Sequence, residues 1–241
     1  MNTTSDLTIV IPAKNEAKLI RKLLTSLILQ DYEAMPSTKV YVADANSTDD
    51  TVEIARSCSD WLDVEVIPGG LPAVGRNAGA RLACTPYVLF IDADIEMSDH
   101  TLVRRAFELM RRKDLHCVTT NIACPAGSAW DKALYTGNNL MQHLSRLYKP
   151  FSTGMFMLVN RAQFQLLGGF HEQALYAEDY LFSQKVAANK FGIVRGFVST
   201  TNRRFKKMGH FKLVRLFLNT ALHTRNESFF LRDHNYWQPG T

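Results

Sequence analysis

No apolar run in this chain of 241 residues approaches the ~18 residues that a membrane span needs. The opening Met1-Asn2-Thr3-Thr4-Ser5-Asp6 lacks the basic start and apolar centre of a signal peptide. The four cysteines, Cys58, Cys84, Cys117 and Cys124, include no Cys-x-x-Cys pair, and the seven histidines follow no zinc spacing. These absences argue against a secreted disulfide framework and against structural zinc. They point to free thiols in a reducing, cytoplasmic compartment. There is no internal repeat and no low-complexity tract. Basic residues are present without a nucleic-acid recognition motif, so no nucleic-acid partner is expected.

What is present suits one α/β domain: 46% of the residues are hydrophobic and 21% charged, enough for a large core. The net charge of +5 conceals an asymmetry. Residues 1–100 carry a balance of −7 and residues 101–241 one of +12. An acidic first half can manage a metal or a nucleotide. A basic second half can face a phosphate or an anionic membrane surface.

Tyr87-Val88-Leu89-Phe90-Ile91-Asp92-Ala93-Asp94 is the most informative stretch. Its short apolar run after Thr85-Pro86 predicts a buried strand. Residues i and i+2 of an extended chain point the same way, so Asp92 and Asp94 leave the strand as an anionic pair. Such a pair calls for a cation, and a hard divalent ion accepts one or two carboxylates plus substrate phosphates. The alternative is a strand cap at Asp92 and a turn opening at Asp94.

Upstream, Leu7–Pro12 predicts a strand stopped by its proline, followed by the polar turn Ala13–Glu16 and an amphipathic helix from Leu19 to Ile28. Lys39–Ala43 is a second strand ending at Asp44. Ser47, with Asp50 three residues on, is placed to cap the next helix. Val64–Ile67 is a third strand, closed by Pro68-Gly69-Gly70, and Gly75–Ala83 a short helix. Alternating strands and helices imply a mostly parallel sheet covered on both faces. The Pro12–Glu16 turn, Asp44 and Asp92/Asp94 each follow the carboxyl end of a strand. In an open parallel sheet those ends share the edge where ligands bind.

The second half is less regular. Ser98 is placed to cap a helix through Arg112, Cys117–Thr120 reads as a strand, and Ala129–Tyr148 as a helix weakened at Gly137. Met155–Val159 is another buried strand, and Gly168-Gly169-Phe170 a tight turn. A helix opens at Ala177-Glu178-Asp179-Tyr180 and runs through Ala187, and Ile193–Val198 is a late strand. The basic Arg203–Lys207 precedes a broadly apolar helix, Phe211–Leu222.

In this order, Ile9–Glu16, Val42–Asp49, Gly75-Arg76-Asn77-Ala78-Gly79, Asp92-Ala93-Asp94, Gly168-Gly169-Phe170 and Glu178-Asp179 resemble the motifs of the family 2 glycosyltransferases. The resemblance covers roughly residues 7–205. It implies a GT-A fold, a Rossmann-like α/β sheet, and inverting transfer from a nucleotide-diphosphate sugar, with UDP as the expected nucleotide.

The resemblance also implies roles. Pro12, Ala13, Glu16 and Asp44 would bind the base and ribose, and Arg76 would approach the nucleotide or pyrophosphate. Asp94 would ligate the metal directly, with Asp92 shared between metal and ribose. Both Mg²⁺ and Mn²⁺ accept such oxygen ligands. Asp179 would be the base that deprotonates the acceptor hydroxyl, with Glu178 orienting the acceptor or sharing the role. Ser152, Thr153 and Gly154 would border the donor sugar. Without the resemblance, Arg76 reads as a solvated helix residue, and Glu178/Asp179 as exposed acids in a first helical turn.

His210 reads as a surface residue, with metal or phosphate ligation as the alternative. Trp130 and Trp237 read as core or interface residues, with stacking on sugar or lipid as the alternative. The expected organisation is a transferase domain at 1–205, with a nucleotide-binding half (1–100) and an acceptor-binding half (101–205), followed by a basic amphipathic segment at 206–241. That segment either packs on the domain or lies on an anionic membrane, so the acceptor class spans saccharides and lipid-linked phosphates and the site of action includes the inner membrane face. Two other functions fit less well. A sugar-1-phosphate nucleotidyltransferase calls for a glycine-rich basic loop after the first strand, and Pro12–Glu16 contains no glycine. A non-catalytic nucleotide-sugar-binding protein does not account for both acidic pairs.

Overall fold

A computed structural model describes residues 5–224 and 226–234; Trp237 lies outside the described residues. Seven strands, β1 (Leu7–Ala13), β2 (Lys39–Asp44), β3 (Asp63–Pro68), β4 (Tyr87–Ile91), β5 (Cys117–Ala123), β6 (Phe156–Asn160) and β7 (Phe191–Ser199), join in the order β3-β2-β1-β4-β6-β5-β7. All run parallel except β6, which is antiparallel to both of its neighbours. The chain builds β1, β2 and β3 outward in one direction and then returns to place β4 on the other side of β1. This reversal opens a crevice beyond the carboxyl ends of β1 and β4.

Alternating strand residues feed two cores. On one face, α1 (Ala17–Ile28) and α4 (Leu102–Arg112) lay Leu23, Leu24, Val103 and Ala106 over Ile9, Ile11, Val42 and Leu89. On the other, α3 (Pro72–Leu82) and three phenylalanines, Phe164, Phe170 and Phe182, cover Val10, Val88 and Phe90. The helix α3 lies so close to the sheet that a Cβ on Gly79 would sit 2.5 Å from Val10 Cγ1. Both faces of β1, β2 and β4 are covered, which is why these strands read as nearly continuous apolar runs.

Several local expectations are corrected. Pro12 does not end β1. It pairs in register with Ala43, and β4 has already left the ladder after Val10, so the missing N–H costs no hydrogen bond on that side. Ser47 does not cap α2 (Thr51–Arg56). Its hydroxyl accepts the Asn15 N–H at 2.9 Å, and Asp49 takes the Thr51 N–H at 3.1 Å. Asp99 rather than Ser98 organises the start of α4, accepting the Thr101 N–H at 3.0 Å. The helix α5 (Ala129–Ser145) passes through Gly137 unbroken but ends before Tyr148. After β6 and the short α6 (Arg161–Leu166), α7 (Glu178–Ser183) stops well short of Ala187.

The C-terminal part forms α8 (Arg203–Met208), α9 (His210–Leu222) and α10 (Glu227–Phe230). The expected division between residues 205 and 206 falls inside α8. The inner face of α9 packs through Leu216 against Ala174, Tyr176 and Phe230. Among the described residues, no helix is long and apolar enough to cross a membrane.

Candidate active site

The floor of the crevice is built by two latched loops. Asn15 takes a left-handed conformation (φ +54°) at the turn after β1. Its side-chain oxygen accepts the Thr48 N–H at 2.8 Å, the Glu16 N–H donates to Thr51 Oγ1 at 2.8 Å, and the Ala17 N–H to Asp49 at 3.1 Å. The loop after β1 is thereby fixed to the loop after β2. Within it, the Asp44 carboxylate accepts the Ser47 N–H at 3.1 Å and remains half-buried.

The structure brings Glu16, Asp92 and Asp94 to one locus. Arg203, the first residue of α8, forks onto both Glu16 oxygens at 2.7 and 2.9 Å and reaches Asp94 Oδ2 at 3.2 Å. Burial raises the Asp94 pKa, and the charge of Asp92 adds to the effect; Arg204 and Arg203 oppose it. Burial likewise raises Glu16, against the hydrogen bond and charge of Arg203. The carboxylates are thus crowded, and Arg203 offsets the burial of Glu16 and Asp94 only in part.

Arg76 is placed differently from the sequence expectations. It is not the solvated helix residue that its charge alone predicts. Its side chain is only 1% exposed, stacked over the Phe170 ring at 5.5 Å. One Nη donates to Glu178, and the other to Asp92 Oδ1 at 2.5 Å. The small residues of α3 face the sheet, and the arginine follows them inward. The flanking Gly154 is necessary, because any Cβ there would collide with the guanidinium. Burial works against the arginine's charge, but Asp92, Glu178 and Asp179 outweigh it and hold the guanidinium more firmly protonated than usual.

Glu178 and Asp179 open α7 just after Ala177, a left-handed alanine (φ +55°). Non-glycine residues in that region store strain, which concentrates at functional sites. Glu178 is buried, correcting the exposed-acid reading, and it faces Arg76. Burial pushes its pKa up to about 7, against the charge of Arg76 and with that of Asp179. Asp179 is half-buried. Its carboxylate accepts the Gly154 N–H at 2.5 Å and the Tyr180 N–H at 2.7 Å. Burial raises its pKa, and Arg76 is the largest opposing influence. Ser152 is buried, with its N–H given to Ser183 at 3.1 Å, so its part is structural.

Two features were not foreseen: the Arg203 fork, and Asp131. Asp131 is buried at the start of α5, accepting from Ser128 N–H (2.8 Å) and Asn202 Nδ2 (3.0 Å) and sharing a 2.6 Å hydrogen bond with His210 Nε2. The sequence signal was the capping-box spacing Ser128-x-x-Asp131. Trp130, beside it, is exposed rather than in the core.

The glycosyl transferase family 2 model matches residues 8–168, which include all of β1 but Leu7, the Asp92/Asp94 strand end and Arg76. The chain belongs to glycosyl transferase family 2. A validoxylamine A glucosyltransferase of Streptomyces hygroscopicus subsp. jinggangensis is 37% identical over 93 residues, 37% of this chain and 22% of that protein. The uncharacterized glycosyltransferase Rv0539 of Mycobacterium tuberculosis is 35% identical over 134 residues, 56% of each chain. Among solved structures, the mannosyltransferase PcManGT of Pyrobaculum calidifontis, in complex with GDP-Man and Mn²⁺, superposes with a TM-score of 0.70 at 19% identity, over 96% of this chain and 66% of that one. S. aureus TarS in complex with UDP-GlcNAc gives 0.66 at 20% identity, over 82% and 58%. These likenesses establish the GT-A fold. The chain spans about a fifth to a little over half the length of these two curated relatives.

The family implies a divalent ion in this crevice. Among the described residues, no three His, Cys, Asp or Glu side chains are grouped to cage a metal. Asp92 and Asp94 offer hard oxygens, and burial together with the Asp92 charge raises the Asp94 pKa. The residues therefore fit Mg²⁺ or Mn²⁺ held by one or two carboxylates with substrate phosphates, and do not fit a protein-only cage.

Proposed function

We propose that this family 2 protein is an inverting transferase that moves a sugar from a nucleotide-diphosphate donor, UDP-linked in the first instance, to an acceptor hydroxyl. The observation that carries the reading is the convergence of Glu16, Asp92 and Asp94 on one wall of the crevice, with Glu178, the neighbour of Asp179, joined to Asp92 through Arg76. In this reading Pro12, Ala13, Glu16 and Asp44 contact the nucleoside, and Asp94, with Asp92, holds the Mg²⁺ or Mn²⁺. The ion's contribution is to neutralise charge on the departing diphosphate.

Asp179 accepts the proton of the acceptor hydroxyl as its oxygen bonds to the anomeric carbon. The bond from that carbon to the diphosphate oxygen breaks on the opposite face, so the configuration inverts and the nucleoside diphosphate leaves. Arg76 keeps Asp92 and Glu178 in place between the two halves of the site. Its proposed part is to position acids, not to bind pyrophosphate. The acceptor is a saccharide or a lipid-linked phosphate sugar, met at an anionic membrane surface by the C-terminal segment 206–241.

A panel of UDP-, GDP- and dTDP-sugars with Mn²⁺ or Mg²⁺, scored for nucleotide release with and without acceptor, tests this. Release with one nucleotide class, lost in Asp179→Asn while donor binding persists, is the expected result. Full activity in Asp179→Asn would overturn the base assignment.

A further inference from the structure

The helix α5 is amphipathic the wrong way round for a helix that serves only the core. Trp130, Ala133, Gly137, Leu140, Leu144 and Leu147 recur at alternating spacings of three and four, tracing one stripe along its length and into the following turn. That stripe points to solvent: Trp130 is 74% exposed and Leu147 83%. The opposite side carries the buried Asp131 and Gln142. An unpartnered apolar stripe of this length marks an interaction surface.

The outer side of α9 is likewise apolar. Its inner side is fixed by Leu213 and Leu216, while Phe211 (85% exposed), Leu218 and Leu222 face outward at helical spacing. Contacts tie the two helices together directly near their starts and, past their ends, through Tyr180 of α7. At their starts Asp131 meets His210. Past their ends, Phe151 meets the Tyr180 ring (6.1 Å), whose hydroxyl bonds Thr224 at 2.7 Å.

Charge identifies the occupant. Residues 132–171 contain no acid, nor do residues 180–226. Lys132, Arg146 and Lys149 flank the α5 stripe, and Lys206, Lys212 and Arg215 flank that of α9; all are exposed. Two copies meeting through this face would oppose like charges. An anionic lipid surface satisfies both the apolar stripe and its basic rim.

We propose that the paired outer faces of α5 and α9 form a docking surface for an anionic bilayer, with α5 supplying the principal apolar contact. This rests on, and relocates, the membrane contact read for the C-terminal segment. It also orients the site. Asn202, which bonds Asp131 at the start of α5, immediately precedes Arg203, which bonds Glu16 and Asp94. Docking therefore brings the crevice to the edge of the lipid surface, where an acceptor anchored by a lipid phosphate is presented.

The test is flotation of the full chain with vesicles of phosphatidylcholine alone or mixed with phosphatidylglycerol, at low salt, with tryptophan emission as a second readout. Wild-type protein is expected to float only with the anionic vesicles, with a blue shift that Trp130→Phe diminishes. Leu144→Glu/Leu147→Glu should lower partitioning at least about tenfold, and Arg146→Glu or Lys149→Glu about fivefold each. Lys113→Glu, at the end of α4, should leave it unchanged. All these positions are exposed, so unchanged thermal midpoints separate lost docking from misfolding. Absence of flotation at low salt overturns the proposal. So does a wild-type dimer in sedimentation that Leu144→Glu dissociates and that does not float, which would assign the face to a second copy. Nucleotide release from soluble donors is measured separately: flotation without release defeats the transferase reading alone, and release without flotation defeats the docking surface alone.

Discussion

Arg76 and Glu178, 102 positions apart in sequence, form an ion pair in which both side chains are at least 98% buried. Attraction between buried charges is offset by the loss of their hydration, so such a pair adds little net stability, but removing one partner strands the other. Arg76→Met is therefore expected to destabilise the fold by about 3–5 kcal/mol, measured by urea unfolding. Arg76→Lys should recover only part of this, because a point charge cannot bridge Asp92 and Glu178 as a planar fork does.

The same pair sets a pH dependence. The Glu178 carboxyl, ordinarily near 4.5, is pushed up to about 7 in the folded chain, mainly by burial. Between these values the unfolded chain has released a proton that the folded chain retains. Stability therefore falls as pH rises through that window, by on the order of 3 kcal/mol in the limit of an isolated group. Unfolding midpoints measured across this range should show the fall in the wild type, and Glu178→Gln should flatten it. A stability that stays flat over the window would show that Arg76 holds Glu178 ionised throughout.

The raised Asp179 pKa shapes the activity profile. A base works when ionised, so the acid limb of kcat/KM should lie above the ordinary carboxylate value of 3.8. Asp179→Asn should lower kcat by about 10²–10⁴-fold with little change in donor affinity, whereas Asp94→Asn should weaken ion-dependent donor binding. Transfer assays over pH, alongside calorimetric donor binding, separate the two residues.

Gly154→Ala tests the close approach at the centre of the site. The added methyl group collides with the Arg76 guanidinium and pushes it off Asp92 and Glu178. A loss of about 1–3 kcal/mol is expected from such overpacking, with a larger fractional loss of kcat than of stability. Alanine at Gly137, where a Cβ meets nothing, is the matched control and should be neutral or slightly stabilising.

How far these relationships were legible in the sequence follows from the range of the contacts involved. Strands β1 to β4 were readable because Ile9, Val42, Val66 and Leu89 lie in short apolar runs with punctuation at both ends. The shared edge followed from parallel topology alone. The antiparallel β6 between β4 and β5 was not readable, since Met157 and Leu158 look alike in either direction. Ser47 was misassigned because its partner, the Asn15 N–H, lies 32 positions away, whereas capping rules see only neighbours. Arg76 was assigned outward because charge predicts exposure, and only the acids brought by β4 and α7 make burial tolerable. Asp131 carried a local capping signal, but its bonds to Asn202 and His210 depend on the docking of α8 and α9.

Arg203 offers a test of the crevice before any substrate arrives. Its guanidinium lies against Glu16 and Asp94, next to Asp92, where the divalent ion would be held. A fixed cation there reduces the attraction of those carboxylates for another. Arg203→Ala should therefore raise the affinity of the donor-free chain for Mn²⁺, read by titration calorimetry or by loss of the free-ion paramagnetic resonance signal. Its effect on stability should be below about 1 kcal/mol, because the pair is partly exposed. Glu16→Gln has the opposite sign for the ion, since it removes a charge from the locus, and should lower Mn²⁺ affinity while releasing Arg203. If both variants bind Mn²⁺ as the wild type does, Arg203 is a structural clip between α8 and the β1 loop and has no bearing on the ion.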